Sequence, residues 1–115
     1  MTQEEKDLEA VKQDGENLEH IEHQTEEMCL IAVSQYGDYL EYAKFKTYEV
    51  CKAAVSNCGS SLRFVDEQTT ELCMIAVMKC GMALSCVKEQ TPEMCRAAIL
   101  SSPEAIQFVW DKTDE

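Results

Sequence analysis

The sequence is short of basic residues, histidine, proline and glycine. Its 115 residues include two histidines, two prolines and four glycines. Ten lysines and arginines stand against 22 aspartates and glutamates, which gives a formal net charge of −12. The shortage of positive charge excludes a nucleic-acid or anionic-membrane binder that works through a basic patch. We therefore expect neither nucleic acid nor membrane as a direct partner.

Long apolar runs are also absent. No uninterrupted run approaches the roughly 20 residues that a membrane-spanning helix needs. The first six residues, Met-Thr-Gln-Glu-Glu-Lys, lack the basic start and apolar core of a secretory signal. Seven cysteines, an odd number, are expected to be reduced in a chain without such a signal. These features predict a cytoplasmic protein, in the host cytoplasm if its source is a virus.

What the sequence does contain is a short internal repeat. The phrase Thr91–Ile99 recurs upstream in steps of 22 residues, with threonine, glutamate, cysteine and the second alanine identical in all four copies. A fifth, weaker copy precedes them. The repeat divides a single domain, residues 1–115, into units 1 to 5, which span 3–24, 25–46, 47–68, 69–90 and 91–112.

Each unit reads as a helical hairpin. Its threonine suits a helix N-cap, and the glutamate two residues later suits the first turn. A glycine such as Gly37, Gly59 or Gly81 then follows the last apolar residue. We expect it to end the helix in the left-handed conformation. A second helix of about two turns follows, and because one hairpin cannot bury both apolar faces alone, the chain is predicted to be an all-α solenoid of five stacked helix-turn-helix repeats.

The phrase T-x-E-x-C-x-x-A-V, followed by glycine and a short L-x-x-V segment, resembles a family known only as a domain of unknown function. The resemblance is strongest over residues 25–109. That family occurs in tandem in proteins of large DNA viruses, phages and intracellular bacteria. The resemblance implies helical repeats and a viral or pathogen setting, and it supplies no catalytic residues.

The two ends of the array are predicted to differ from its interior. In unit 1, Lys6, Asp7 and His20 occupy positions held by Met28, Cys29 and Tyr42 in unit 2. Such a polar outer face is typical of a capping repeat. At the other end, the indole of Trp110 is expected to cover the last layer, ahead of a charged tail at residues 111–115.

No arrangement of residues indicates an active site or a metal site. Cys29, Cys51, Cys73 and Cys95 share one repeat position, so they lie in successive layers about 10 Å apart and cannot converge on a zinc ion. They are interpreted as small packing residues. His20 and His23 lack a third ligand, and no nucleophile elbow or phosphate-binding loop is present. We expect a protein that is not an enzyme and has no cofactor.

The predicted function is therefore binding of another protein. At one helix position Leu30 and Met74 alternate along the array with Lys52 and Arg96, and at the next position isoleucine alternates with alanine. Since the basic side chains are expected to face solvent, Leu30 and Met74 are expected to be exposed with them; the alternative is that they line the same groove as the long basic stems. The predicted partner-binding residues on this helix face are Leu30, Ile31, Lys52, Met74, Ile75 and Arg96.

An alternative function follows from the uneven charge. The five units carry net charges of −6, −2, −1, 0 and −1, so the acidity is concentrated in unit 1. Glu16, Glu19 and Glu22 are the candidate residues of an acidic inhibitor that imitates nucleic acid and binds the basic surface of a nuclease or another host defence enzyme. Self-association of the array is a third alternative.

Overall fold

The structure, a computed structural model, describes residues 1–110, in which five α-helices alternate with five 3₁₀ helices. The end of unit 5 and the charged tail, residues 111–115, lie outside the described residues. The α-helices are α1 (Gln3–Gln13), α2 (Glu26–Gln35), α3 (Tyr48–Asn57), α4 (Thr70–Lys79) and α5 (Pro92–Ser101). The 3₁₀ helices are η1 (Gly15–His20), η2 (Gly37–Tyr42), η3 (Gly59–Phe64), η4 (Gly81–Cys86) and η5 (Pro103–Phe108).

The helices form two parallel stacks. Each α-helix packs on the next α-helix, each 3₁₀ helix packs on the next 3₁₀ helix, and the two stacks face each other across the core. The result is a rod of 60 × 21 × 17 Å. The predicted all-α solenoid is confirmed, and the predicted second helix of each repeat is a two-turn 3₁₀ helix with three residues per turn.

The threonine N-caps are confirmed. The hydroxyl of Thr25 accepts a hydrogen bond from the backbone N–H of Met28 at 3.2 Å. In α1 the cap is Thr2, and its hydroxyl and the carboxylate of Glu5 each accept a bond from the other residue's backbone N–H. These bonds satisfy amides that have no partner within the helix. The same cap begins the remaining helices, at Thr47, Thr69 and Thr91.

The expected role of the glycines is wrong. Among residues 1–110 no residue has a positive φ, and each of α1 to α4 ends in an extended residue before the glycine. The glycines are needed because the next layer comes so close to them. A Cβ atom on Gly37 would lie 2.4 Å from the carbonyl oxygen of Ala54, and one on Gly81 would lie 2.2 Å from that of Ala98. No side chain fits at that distance, and only glycine allows this approach of two backbones.

A buried glutamine, which the sequence analysis overlooked, ties one layer to the next. Gln24, the last residue of unit 1, donates from Nε2 to the carbonyl of Tyr42 at 2.8 Å. Its Oε1 accepts from the backbone N–H of Lys44 at 2.8 Å and from the thiol of Cys29 at 3.3 Å. The repeated cysteine is therefore a packing residue, as predicted, and also a hydrogen-bond donor. Gln68 and Gln90 make the corresponding bonds, and Lys46 replaces the glutamine between units 2 and 3.

The two ends bear out one expectation and correct another. Lys6 and His20 are exposed and Asp7 is half-buried, as a polar capping repeat requires. The indole of Trp110 does not cover the last layer, because its side chain is 64% exposed. Ile106, whose counterparts in the earlier units are fully buried leucines, is exposed as well. The C-terminal end of the described rod therefore presents apolar side chains to solvent.

The glycine contacts predict a graded loss of stability. Gly59→Ala should lower the free energy of unfolding by about 3 kcal/mol, because the new Cβ would lie 2.4 Å from the carbonyl oxygen of Ala76. Gly15→Ala should cost about 1 kcal/mol, since its nearest contact, at 2.9 Å, is the flexible side chain of Gln35. Urea denaturation followed by circular dichroism measures both, and equal losses would contradict the close-approach explanation.

Candidate protein-binding surfaces

The described residues offer neither a membrane span nor a metal site. No helix within residues 1–110 combines the length and the apolar content that crossing a bilayer requires. In the same range no three His, Cys, Asp or Glu side chains come together where they could hold a metal ion. Of the predicted packing cysteines, each lies on a different α-helix. The candidate sites are therefore surfaces of the rod.

A cleft of about 440 Å³ lies between the linkers that precede α4 and α5 and reaches the thiol of Cys73. A thiol must ionise to act as a nucleophile. Burial raises the pKa of Cys73, and its thiol donates to Oε1 of Gln68 at 3.5 Å. Both effects favour the neutral thiol, so the cleft does not hold an activated nucleophile. Burial is also the main cause that raises the pKa of Cys29, Cys51 and Cys95.

Thiol alkylation should follow burial. With iodoacetamide, the half-buried Cys58 and Cys80 should react at least tenfold faster than the buried Cys29 and Cys73, because little of the buried thiols is ionised or accessible. Mass spectrometry of peptides taken over time measures each rate, and protein unfolded in urea provides the reference in which these cysteines should react alike. Equal rates in the folded protein would show that the layers open easily.

The predicted partner-binding face is less exposed than expected. Leu30, Ile31, Met74 and Ile75 are half-buried and pack against the core. Lys52 is half-buried too, and Arg96 is exposed. Leu30 and Met74 therefore share the partial burial of Lys52, as expected if they line the same groove, and only Arg96 is more exposed. Their role in binding stays a prediction.

The exposed apolar residues of this face lie one turn further along the helices. Met78 is 65% exposed and Leu100 is 86% exposed. They occupy the same repeat position on α4 and α5, four residues after Met74 and Arg96, and so lie on the same side of their helices. Units 2 and 3 have the exposed Ser34 and Ser56 at this position. We call Met78 and Leu100, together with the predicted partner-binding residues Leu30, Ile31, Lys52, Met74, Ile75 and Arg96, the α face.

Ion pairs cross one end of the α face. Lys52 of α3 lies 3.5 Å from the carboxylate of Glu71 on α4, and the hydroxyl of Tyr48 donates to the same carboxylate. Arg96 pairs with Glu93 within α5 at 3.8 Å. These side chains are largely exposed, so each pair contributes little to stability. The charges of Lys52 and Arg96 are thus partly neutralised by neighbouring carboxylates. What remains exposed on this face, without a partner among residues 1–110, is the apolar pair Met78 and Leu100.

The acidic candidates all belong to unit 1, at the N-terminal end of the rod. Glu16 and Glu19 are three residues apart on η1, which is one turn of a 3₁₀ helix, so they lie on the same side. Glu22 follows η1 in the linker, with a side chain that is 86% exposed. The structure therefore groups Glu16 with Glu19 and leaves Glu22 apart from the helix.

Next to these carboxylates lies a group of aromatic rings that the sequence analysis overlooked. Tyr36 is the N-cap residue of η2, Tyr39 and Tyr42 follow it at intervals of three residues, and we call the three the tyrosine face. The rings of Tyr36 and Tyr39 meet edge to face at 5.2 Å, and those of Tyr39 and Tyr42 stack at 6.2 Å. The three-residue spacing was the signal for it, but it points to one face only in a 3₁₀ helix.

The chain belongs to the family described as a domain of unknown function (DUF4116). The family model matches three overlapping stretches, residues 8–47, 25–69 and 47–91, each of which spans about two units. The overlap of the matches agrees with a tandem repeat. No curated protein and no solved structure matches the chain.

Proposed function

We propose that this member of the DUF4116 family is a non-catalytic module that binds another protein through its α face. A solenoid exposes an extended surface in which each unit contributes one side chain at each outer position. The buried core positions are nearly constant between units, whereas the outer positions that form this surface change. We further propose a host-interaction role in a virus or an intracellular bacterium, which rests on the resemblance described above.

The exposure of Met78 and Leu100 carries the proposal. Two large apolar side chains in adjacent layers hold a position that is serine in units 2 and 3. Neither side chain is needed to fill the core. Exposed apolar patches on a protein surface tend to mark contacts with partners. Ile75 and Met74 extend the apolar area towards the centre of α4.

The free cysteines of the protein are consistent with a reducing environment. All seven cysteines lie in the described residues and are free, and four of them are at least half-buried with raised pKa values. Free thiols persist in the cytoplasm and are oxidised in secretory compartments. We therefore place the proposed interaction in the cytoplasm, or in the host cytoplasm for a viral source.

The test compares two double variants at the same repeat position. Met78→Glu with Leu100→Glu should reduce the capture of partner proteins from a lysate of the natural host at least tenfold, because it buries two charges in an apolar contact. Ser34→Glu with Ser56→Glu adds the same charge at the equivalent exposed positions of units 2 and 3 and should leave capture unchanged. Quantitative mass spectrometry of the captured proteins measures the effect, and circular dichroism checks the fold.

Two results would contradict the proposal. Capture that survives the Met78/Leu100 variant would place the contact elsewhere on the rod. Equal losses in both variants would show that added negative charge, and not loss of the apolar pair, is responsible. Leu30→Glu and Met74→Glu are less suitable, because these half-buried side chains pack against the core and their replacement would also destabilise it.

A second candidate function is inhibition of a nucleic-acid enzyme by an acidic mimic. The observation that favours it is the grouping of Glu16 and Glu19 on one side of η1, at the end of the rod that carries half of the net charge. Reversal of Glu16, Glu19 and Glu22 to Lys should abolish inhibition of a host nuclease. The inhibition constant of the unchanged protein should rise steeply with salt, since exposed charges are screened within about 8 Å at physiological ionic strength. Salt-independent inhibition would count against mimicry.

A further inference from the structure

The tyrosine face is not required by the core. Tyr39 occupies the repeat position at which later units have small, fully buried residues, Ser61, Ala83 and Ala105. Tyrosine is too large for that space, and its ring lies over Gly15 of unit 1, with Cδ2 3.0 Å from the place of a Cβ atom on that glycine. Tyr36 at the start of η2 is 47% exposed, and Tyr42 is half-buried. Three aromatic rings are thus held against each other at the surface of one layer.

The surroundings of these rings are acidic. The hydroxyl of Tyr36 donates to Oδ2 of Asp38 at 3.2 Å. The pKa of Tyr42 is raised first by the charge of Glu19, then by burial and the charges of Glu41 and Glu16. The pKa of Tyr39 is raised first by burial and then by Asp14 and Glu16. The geometry agrees, because Glu16 follows Gly15, over which the Tyr39 ring lies, and Glu41 precedes Tyr42 in η2.

Positive charge is scarce here. Among the residues that the structure describes, no Lys or Arg pairs with Glu16, Glu19 or Glu41 within 4.0 Å, and His20 approaches Glu19 only at 3.9 Å. Asp38 is the exception, because Arg63 from the next layer reaches it at 2.8 Å. In the part of the chain that the structure describes, the carboxylates of Glu16, Glu19 and Glu41 beside the tyrosine face thus have no Lys or Arg as a partner.

The pairing at Asp38 shows which cation would fit. The guanidinium of Arg63 lies 4.7 Å above the centre of the Phe64 ring while it contacts Asp38. Phe64 holds the same repeat position in unit 3 that Tyr42 holds in unit 2. Units 2 and 3 therefore hold an arginine of the chain itself between the Phe64 ring of unit 3 and the Asp38 carboxylate of unit 2. The preceding layer has the ring and the carboxylates, with Glu41 at the position of Arg63.

We propose that the tyrosine face, together with Glu16, Glu19 and Glu41, is a docking surface for an arginine-rich segment of a partner protein. A planar guanidinium stacks on aromatic rings and binds carboxylates through two parallel hydrogen bonds, which an ammonium group cannot do. A nucleic acid is excluded as the occupant, because its phosphates would be repelled by these carboxylates. The inference rests on the proposed function only in that the partner is a protein. It concerns a different surface from the α face.

The experiment uses a fluorescent peptide of nine arginines and, as the comparison, one of nine lysines. Binding to the full chain is measured by fluorescence anisotropy in 150 mM salt, where weak surface attraction is screened. The arginine peptide should bind about tenfold more tightly than the lysine peptide. Tyr36→Leu with Tyr42→Leu should weaken binding of the arginine peptide about tenfold and that of the lysine peptide clearly less, because it removes the rings on which guanidinium groups stack and keeps every charge.

A charge-matched pair of variants separates this site from general attraction to an acidic protein. Glu16→Gln with Glu19→Gln should weaken arginine-peptide binding at least fivefold. Glu67→Gln with Glu89→Gln removes the same charge from exposed positions in the linkers before α4 and α5 and should have little effect. If both pairs weaken binding equally, or if the two peptides bind alike, the proposal is wrong.

NMR of the unchanged protein keeps the test decisive if a tyrosine variant unfolds. Addition of the arginine peptide should shift the ring signals of Tyr36, Tyr39 and Tyr42 and leave those of Tyr48, on the α-helical side, unmoved. Shifts at Tyr48 alone, or none, would overturn the proposal. The Met78/Leu100 double variant should still bind the peptide, so failure of the α face and failure of the tyrosine face give different results.

Discussion

The contact on which the whole array depends is the approach of a glycine backbone to the carbonyl of an α-helix in the next layer. At Gly37, Gly59 and Gly81 this carbonyl lies within 2.4 Å of where a side chain would begin. The same approach lets the N–H of Gly37 donate to the side chain of Asn57 at 2.7 Å. Because the contact recurs at nearly the same distance, it sets a common spacing for the layers. The leucines and valines of the core then pack at that spacing.

Buried polar bonds hold the register of the layers once the spacing is set. Gln24, Gln68 and Gln90 each connect the end of one unit with the 3₁₀ helix of the following unit. Between units 2 and 3, where Lys46 replaces the glutamine, Ser61 and Arg63 donate hydrogen bonds to the carboxylate of Asp38 and connect the same layers. A glutamine amide inside the stack would be costly without partners. Its full set of bonds makes one arrangement of neighbouring units better than a shifted one.

The sequence predicts those features that depend on neighbours along the chain. Thr25 and Glu27 act within one turn of helix, so the start of each α-helix could be read directly. The role of Gly59 could not, because the atom that excludes a side chain there belongs to Ala76, in another layer. The exposure of Met78 also depends on how far α4 is rotated against α3 and α5, which packing decides. Likewise, Tyr36, Tyr39 and Tyr42 form one face only because the segment is a 3₁₀ helix, and their residue types favour no such helix.

Unit 5 differs from the others at the position that sets the spacing, because Pro103 stands where the earlier units have glycine. A proline ring there would occupy the space into which the carbonyl of a following layer has to come, and proline has no N–H to donate. Any polypeptide that covers Ile106 must therefore stack at a larger distance than the units stack on one another. A second copy of the rod that stacked on unit 5 would meet Pro103 and could not repeat the glycine contact of the interior layers.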